Sequence, residues 1–451
     1  MIRLAVTLTR AGGWPRMLLL GSCTAVVCAL LLVVVTFARL PDSPDEVLFE
    51  LVADPGTRGG TTFATALLTV PPLLLLYQAI RLGTAARDRR LAALRLAGAT
   101  PNEVRRLGAL EVGIPALAGS LAGIALFWIL RQVLGGNTMH DVDFRSDVYA
   151  STLTLSLNLL PTSVSPQWWD ASLVVIATTL AGVFVGARAS RGVIVTPLGV
   201  SRRQSSAPPR PWGVLLLVAA ALVVPLALAV GAFPAAAGIA IVGLAVLGVV
   251  GLAPWAAYRA GRYAESRTAS AAVLLAARRL VADPRPAGRA AAAVGAIALV
   301  SGGGAAIAAD LLAVENDDPF YYVSLALVAG ALLVALLVAV GTLAVHSVES
   351  LLDRKRSVAS LAALGMPLDE LESAQRWEAR LVAMPIATAG VLLGAATIAV
   401  LGGNLSPVGL LVLVADVVLT LGLVRLAIIA AVRITRPWAV RAASVANLRT
   451  E

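Results

Sequence analysis

Residues 87–111 read RDRRLAALRLAGATPNEVRRLGALE, and residues 354–378 read RKRSVASLAALGMPLDELESAQRWE. These two segments, the first and second connectors, align without a gap at a constant offset of 267, and seven of their 25 positions are identical. The identical pairs are Arg87/Arg354, Arg89/Arg356, Ala92/Ala359, Leu94/Leu361, Gly98/Gly365, Glu103/Glu370 and Glu111/Glu378. Each connector follows one long apolar segment and precedes two more, which predicts a duplicated three-helix membrane unit.

The composition identifies the class of protein. The chain has 451 residues, of which 59% are hydrophobic and 14% charged, and several apolar runs exceed the length of about 18 residues that spans a bilayer. We therefore predict an all-α integral membrane protein. Its net charge of +10 comes from short basic clusters between the apolar runs, which indicates orientation in the membrane rather than nucleic-acid binding. The two cysteines, Cys23 and Cys28, share one apolar run and predict neither a disulfide framework nor a metal site.

The apolar runs predict about ten transmembrane helices. The expected spans are 17–37, 61–80, 110–130, 171–187, 212–230, 235–255, 290–312, 322–345, 381–401 and 407–427. If the N-terminus is cytoplasmic, about 32 of the 36 Lys and Arg residues lie on the inner side, while acidic residues collect on the outer side. The charge pattern therefore predicts a multi-pass protein with both termini in the cytoplasm.

The repeat predicts the division of the chain. The expected segments are 1–60 (first span and outer loop), 61–203 (first unit, spans 2–4), 204–289 (central two-span hairpin and cytoplasmic basic linker), 290–321 (span 7 and a short outer loop), 322–441 (second unit, spans 8–10) and 442–451 (cytoplasmic tail). Both units begin outside and end inside, so we expect two parallel repeats related by a pseudo-twofold axis along the membrane normal.

The connectors predict short helices that end in a sharp turn. In the first, Gly98 is placed to stop one helix, and Thr100 and Glu103 have the spacing of a capping box that begins the next. In the second, Gly365 marks the same break, and Pro367 replaces Thr100, so the start of the following helix must be capped differently.

The connectors also carry a family resemblance. Arg87-x-Arg89, followed by LAALRLAGAT at 91–100 and by Glu111, resembles the signature of FtsX-like permeases, as does VASLAALGM at 358–366. Two such units with four further spans are similar to bacitracin-type peptide efflux permeases, without the large extracellular domain of those relatives. The resemblance implies a mechanotransmission-type ABC transporter subunit in the bacterial cytoplasmic membrane. It also implies a cytoplasmic ATPase, in two copies, that binds ATP and Mg²⁺, and an amphipathic peptide, antibiotic or lipid as cargo.

We assign the connectors to docking of that ATPase, because the chain has no G-x-x-x-x-G-K-[ST] motif and only one lysine, Lys355, and so cannot be expected to hydrolyse ATP itself. The assigned docking residues are Leu94, Leu96, Gly98, Ala99, Glu103, Leu361, Ala363, Gly365, Met366 and Glu370. The alternative is an amphipathic helix on the inner leaflet, with its arginines near lipid phosphates. We predict no catalytic residues and no cofactor in the chain.

Some acidic residues lie in or at the ends of the predicted spans. Glu111 and Glu378 begin spans 3 and 9 at the same register, where a carboxylate costs several kcal/mol unless it is paired, so arginine partners are expected. Asp416 lies inside span 10 and is a candidate intramembrane polar site. A proton-coupled secondary transporter that uses Asp416 is one alternative function, although it leaves the paired connectors unexplained. A signalling scaffold that transports nothing is another.

Overall fold

The structure is a computed structural model. It describes residues 14–44, 46–81, 93–135, 139–142, 153–156, 158–189, 208–229, 235–313, 319–400 and 407–448. The chain divides into two compact units that differ in extent from the two three-span repeats. From here on, the first unit is residues 1–200 with 322–324, and the second unit is residues 201–321 with 325–451. Helices dominate both units, which confirms the predicted all-α membrane fold.

The described helices of the first unit account for the first four predicted spans. They are α1 (Trp14–Ala38), α2 (Glu50–Ala53), α3 (Pro55–Leu67), α4 (Val70–Arg81), α5 (Pro101–Leu134) and α6 (Trp168–Ala189). The span predicted at 61–80 is divided between α3 and α4. Pro71 and Pro72 follow the break directly, and because proline lacks an N–H and clashes with the carbonyl four residues earlier, it suits the first turn of a helix and not its interior.

A short β-hairpin lies between α5 and α6 and is not part of the predicted all-α fold. Strand β1 (Met139–Val142) pairs antiparallel with β2 (Leu153–Ser156), and Met139 is opposite Ser156. The sequence of β2, LTLS, alternates apolar and polar residues as strands do, but a segment of four residues is too short for this alternation to predict a strand.

The second unit contains the remaining spans. Its described helices are α7 (Trp212–Ala229), α8 (Ala235–Arg267), α9 (Ala271–Ala282), α10 (Pro284–Ala313), α11 (Pro319–Asp353), α12 (Lys355–Ala363), α13 (Leu368–Val400), α14 (Pro407–Ala442) and a 3₁₀ helix, Val445–Leu448. Helix α9 is an addition to the prediction, since it falls in the segment expected to be a basic linker. Of the described helical segments in both units, nine are long and apolar enough to cross a membrane, and α7 contributes a shorter apolar helix at the fifth predicted span, 212–230.

Close helix packing holds each unit together. In the first unit α5 packs along α1, and a Cβ on Gly119 would overlap Thr24 Oγ1 and the carbonyl of Gly21. In the second unit α13 packs along α10, and a Cβ on Gly394 would overlap the carbonyl of Leu299. Small residues allow helix backbones to approach this closely in membranes. The helix after each connector thus has a long partner, α1 or α10, that lies outside the three-span repeat.

Candidate functional site

The first connector, described from Ala93 onward, forms a helical turn that ends at Gly98. The Gly98 N–H donates to the Arg95 carbonyl at 3.0 Å, and the Ala99 N–H donates to the Leu94 carbonyl at 3.0 Å. These two bonds form a Schellman motif, which requires a left-handed residue at its centre. Gly98 has a φ of +98°, which glycine adopts without the steric cost that a Cβ brings.

Helix α5 starts immediately after that turn. The Thr100 N–H donates to Glu103 Oε2 at 2.8 Å, and the Glu103 N–H donates to Thr100 Oγ1 at 3.3 Å, so the predicted capping box is confirmed. Hydrogen bonds from the Thr100 N–H and hydroxyl lower the pKa of Glu103 and keep it ionised. Pro101 occupies the first helical position, where its missing N–H costs nothing.

The second connector repeats the turn. Helix α12 ends in a Schellman motif in which the Gly365 N–H donates to the Ala362 carbonyl and the Met366 N–H donates to the Leu361 carbonyl, both at 3.0 Å. Gly365 has a φ of +90°. Helix α13 then begins at Leu368, with Asp369 and Glu370 in its first turn, where acidic residues complement the positive end of the helix dipole.

Burial divides the predicted docking residues into two groups. Leu94 and Ala99 pack against Val104 and Leu107, and Leu361 and Met366 pack in a cluster with Val358 and Leu371, so these four side chains fix the turns. The exposed members of the predicted set are Leu96, Gly98, Ala363, Gly365 and Glu370, and the remaining member, Glu103, is half-buried and forms the cap of α5.

One leucine on each connector faces outward beside the left-handed glycine. Leu96 is 75% exposed and Leu364 is 85% exposed. Leu364 was not predicted, because the offset of 267 pairs Leu96 with Ala363. The Schellman bonds equate Gly98 with Gly365 at that same offset, so the two leucines occupy neighbouring positions of the turn, about 100° apart around a helix.

The two carboxylates at the start of the membrane segments both contact arginines. In the first unit, Arg16 Nη1 on α1 donates to Glu111 Oε1 on α5 at 2.7 Å, and both side chains are nearly buried. Arg16 Nη2 also donates to the Ile80 carbonyl at the end of α4, at 3.3 Å. This one arginine therefore joins three helices around the end of the first connector.

Glu378 has partners from different elements. Its carboxylate lies 3.6 Å from Arg279 Nη1 on α9 and 3.7 Å from Arg354 Nη1, the residue that precedes α12. Burial lowers the pKa of Arg279, and the charge of Glu378 opposes that effect. The second connector is thus tied to the start of its own following helix through Arg354 and Glu378.

The second connector is also supported by the end of the chain. Leu351, Val358, Leu371, Ala439 and Ala442 form one buried cluster that joins α11, α12, α13 and α14. The Asn447 side-chain amide donates to the Arg441 and Ala442 carbonyls at 2.8 and 3.1 Å, which holds the 3₁₀ helix against the end of α14.

Asp416, the predicted intramembrane polar residue, lies on α14 against α10. Ser301 Oγ donates to its Oδ1 at 2.8 Å, and Thr420 Oγ1 is 3.5 Å from the same oxygen. No group of three or more His, Cys, Asp or Glu side chains within the described ranges is arranged to hold a metal ion.

The segment 158–164 of the first unit takes part in a polar network that the sequence did not predict. Glu46 accepts hydrogen bonds from the Asn158 amide at 3.0 Å, the Ser163 N–H at 2.9 Å, and the Thr162 N–H and hydroxyl. Burial alone would raise the pKa of Glu46, but these hydrogen bonds outweigh it and lower the pKa to about 2. Arg131 donates to the Pro161, Thr162 and Val164 carbonyls of the same segment, which is therefore held from two sides.

Comparison with known families gives one match. Residues 62–198, which include the first connector, match the model of the family described as FtsX-like permease C-terminal. No curated protein matches the chain.

Proposed function

We propose that this chain, whose residues 62–198 match the FtsX-like permease family, is the non-catalytic membrane subunit of an ABC transporter that is driven through its two connectors. A separate cytoplasmic ATPase, present in two copies and binding ATP and Mg²⁺, docks on the connectors. The permease extrudes or extracts an amphipathic peptide, antibiotic or lipid. The bacterial cytoplasmic membrane is its location, with both termini in the cytoplasm.

The observation that carries this proposal is the recurrence of one rigid turn with one exposed leucine. Both connectors end in the same pair of Schellman hydrogen bonds, both place glycine at a positive φ, and each leaves one leucine uncovered, two residues before Gly98 and one residue before Gly365. An exposed leucine contributes about 1.5–3 kcal/mol when a partner covers it fully. Leu96 and Leu364 are therefore suited to be the central contacts of a docking interface.

The helices after the connectors are suited to transmit a displacement. Helix α5 has 34 residues and α13 has 33, so each is about 50 Å long at 1.5 Å per residue. Each begins only a few residues after its turn. A push on Leu96 or Leu364 therefore acts on the end of a helix long enough to cross the membrane.

The buried ion pairs couple the helix after each connector to its neighbours, so that a displacement of one moves the other. Removing one partner of a buried pair costs about 3–5 kcal/mol, because the remaining charge is left uncompensated. The pair between Arg16 and Glu111 therefore makes α1 and α5 move together near the first connector. Arg279 and Arg354 serve the same purpose around Glu378 in the second unit.

Alanine substitutions at both exposed leucines test the docking role. The permease is reconstituted in lipid nanodiscs, and binding and stimulation of the ABC ATPase encoded beside it are measured. Leu96→Ala with Leu364→Ala should weaken binding at least tenfold, since each lost contact is worth about 1.5 kcal/mol or more. Leu448→Ala, at a leucine that is 40% exposed on the 3₁₀ helix, is the matched control and should bind as the unaltered chain does. Equal binding by all three proteins, or no ATPase that binds, would contradict the proposed function.

A further inference from the structure

One acidic side chain of the second unit lies deep in an apolar segment. Asp416 is nine residues after Pro407, the first residue of α14. At 1.5 Å per residue this is ~13.5 Å along the helix, and a hydrocarbon core is about 30 Å thick. Asp416 is thus close to the middle of the bilayer, where an acidic residue is costly and needs a partner.

The partners of Asp416 occupy only one of its two oxygens. Ser301 Oγ and Thr420 Oγ1 both lie near Oδ1, at 2.8 and 3.5 Å, and they are 3.4 Å from each other. Oδ2 is buried and accepts no hydrogen bond. Because an ionised carboxylate accepts through both oxygens, half of the acceptor capacity of Asp416 is unused.

The groups that form hydrogen bonds with the Asp416 carboxylate are neutral. Across the described parts of α10 and α14, the groups that bond the carboxylate are the two hydroxyls, and neither carries a charge. The next basic residue along α14 is Arg425, nine residues and ~13.5 Å further on. This differs from Glu111 and Glu378, which both have arginines within 4 Å.

The helix that supplies Ser301 leaves room beside it. Gly304 is three residues after Ser301 and so lies on the same face of α10. A Cβ at Gly304 would meet no atom within 4 Å, whereas one at Gly303 would be in ordinary van der Waals contact with Ile398 at 3.7 Å. The site therefore combines an incompletely bonded carboxylate with open space at Gly304, one helical turn along α10.

We propose that Asp416 binds the positively charged group of the cargo, an ammonium or guanidinium that donates to Oδ2. Ser301 and Thr420 are positioning residues, because their hydroxyls fix Oδ1 and leave Oδ2 for the ligand. The predicted topology agrees with this chemistry, since acidic residues predominate on the outer side and attract cations there. The inference rests on the proposed function and narrows its cargo to cationic amphiphiles.

The test measures binding to the full chain alone, in nanodiscs of neutral phosphatidylcholine and without any ATPase. The probes are a fluorescent dodecylamine with one primary ammonium and its N-acetylated, uncharged counterpart, and binding is followed by fluorescence anisotropy. The unaltered chain should bind the ammonium probe at least tenfold more tightly than the acetylated one. Asp416→Asn should remove that preference and leave binding of the acetylated probe unchanged, which also shows that the variant is folded.

Two further variants separate the roles of the residues. Ser301→Ala should retain a preference for the ammonium probe that is reduced several-fold, because the charge remains and its orientation is lost. Asp310→Asn, which alters an acid near the outer end of the same helix α10, should keep the full preference. Loss of preference in Asp310→Asn as well would point to general surface charge and overturn the proposal.

The remaining outcomes are equally decisive. If Asp416→Asn keeps the preference, or if the unaltered chain has none, Asp416 is not a cation site. If Asp416→Asn instead abolishes proton uptake into permease vesicles while probe binding is unchanged, the carboxylate carries protons and the proposal is wrong. Because no ATPase is present, these results are independent of the connector test, and either idea can fail without the other.

Discussion

Gly98 and Gly365 are the residues whose replacement reports most directly on the connector turns. Their φ angles are +98° and +90°, in the region that side chains with a Cβ occupy at a cost of about 1–2 kcal/mol. A Cβ at either position would meet no atom within 4 Å. Alanine therefore introduces backbone strain without a clash, and the expected cost is about 1–2 kcal/mol for each turn.

Proline at the same positions has a second effect. Its ring fixes φ near −65°, so it cannot adopt the observed conformation, and it has no N–H to donate to the Arg95 or Ala362 carbonyl. The expected cost is about 3 kcal/mol or more for each turn, enough to change the angle between the two helices of a connector. We predict that Gly98→Pro with Gly365→Pro abolishes stimulated ATP hydrolysis, while the double alanine variant reduces it.

The assay combines two measurements on the same preparations. Stimulated ATP hydrolysis of the reconstituted complex reports on force transfer, and the melting temperature of the purified permease reports on stability. Gly60→Ala is the matched control, since Gly60 lies inside α3 and also has open space where a Cβ would stand. Alanine is favoured over glycine within a helix by about 1 kcal/mol, so this variant should be unchanged or more stable.

If the double alanine variant matches the unaltered chain in both measurements, the positive φ carries no cost and the turns do not depend on glycine. The double proline variant contradicts the prediction if it inserts into the membrane and retains full stimulated hydrolysis. In that case the connectors would not transmit the motion, whatever else they bind.

Three other predictions test separate contacts. Glu111→Gln leaves Arg16 buried without its partner and should destabilise the permease by about 3–5 kcal/mol in a melting assay, whereas Glu111→Leu with Arg16→Met should recover most of that loss. The Glu46 pKa is lowered to about 2 in the folded chain and is about 4.3 when unfolded, so its stabilisation is complete above about pH 4.3 and is lost as the pH falls towards 2. Because Glu46 is largely solvated, we expect only about 1–2 kcal/mol of acid-induced destabilisation, absent in Glu46→Gln. Thr100→Ala removes the cap of α5 and should lower stability by about 1 kcal/mol, while Ser360→Ala on the second connector should not.

The parts of the fold that the sequence predicts are those with local causes. The stop at Gly98, the cap formed by Thr100 and Glu103, and the repeated stop at Gly365 each depend on residues a few positions apart. Spans depend on runs of apolar residues, and each predicted span falls largely within a described helical segment. Several helices extend well beyond the predicted ends, as α13 (Leu368–Val400) and α14 (Pro407–Ala442) do. The division of the second span also has a local cause, Pro71 and Pro72. The number of apolar residues over 61–80 nevertheless predicts one continuous span there.

The parts that could not be predicted depend on contacts between distant residues. Arg16 and Glu111 are 95 residues apart, and Arg279 comes from α9, a helix that the pattern of a basic linker did not indicate. The roles of Leu94 and Leu96 differ only because one faces Val104 and Leu107 and the other faces outward. Such differences depend on how a turn is rotated against its neighbours, which hydropathy does not record.

The two repeats place a carboxylate at the same register and neutralise it in different ways. Glu111 bonds to Arg16 of α1. Glu378 instead contacts two arginines, Arg279 of the short helix α9 and Arg354 of the second connector itself. What the units share is therefore the anchored start of the helix after the connector, and the source of the positive charge is free to differ. If an ATPase docks on the connectors as proposed, a displacement at Leu96 would reach α1 through Arg16, and one at Leu364 would reach α9 through Arg279. The same input to both connectors would then meet first internal contacts that are not equivalent.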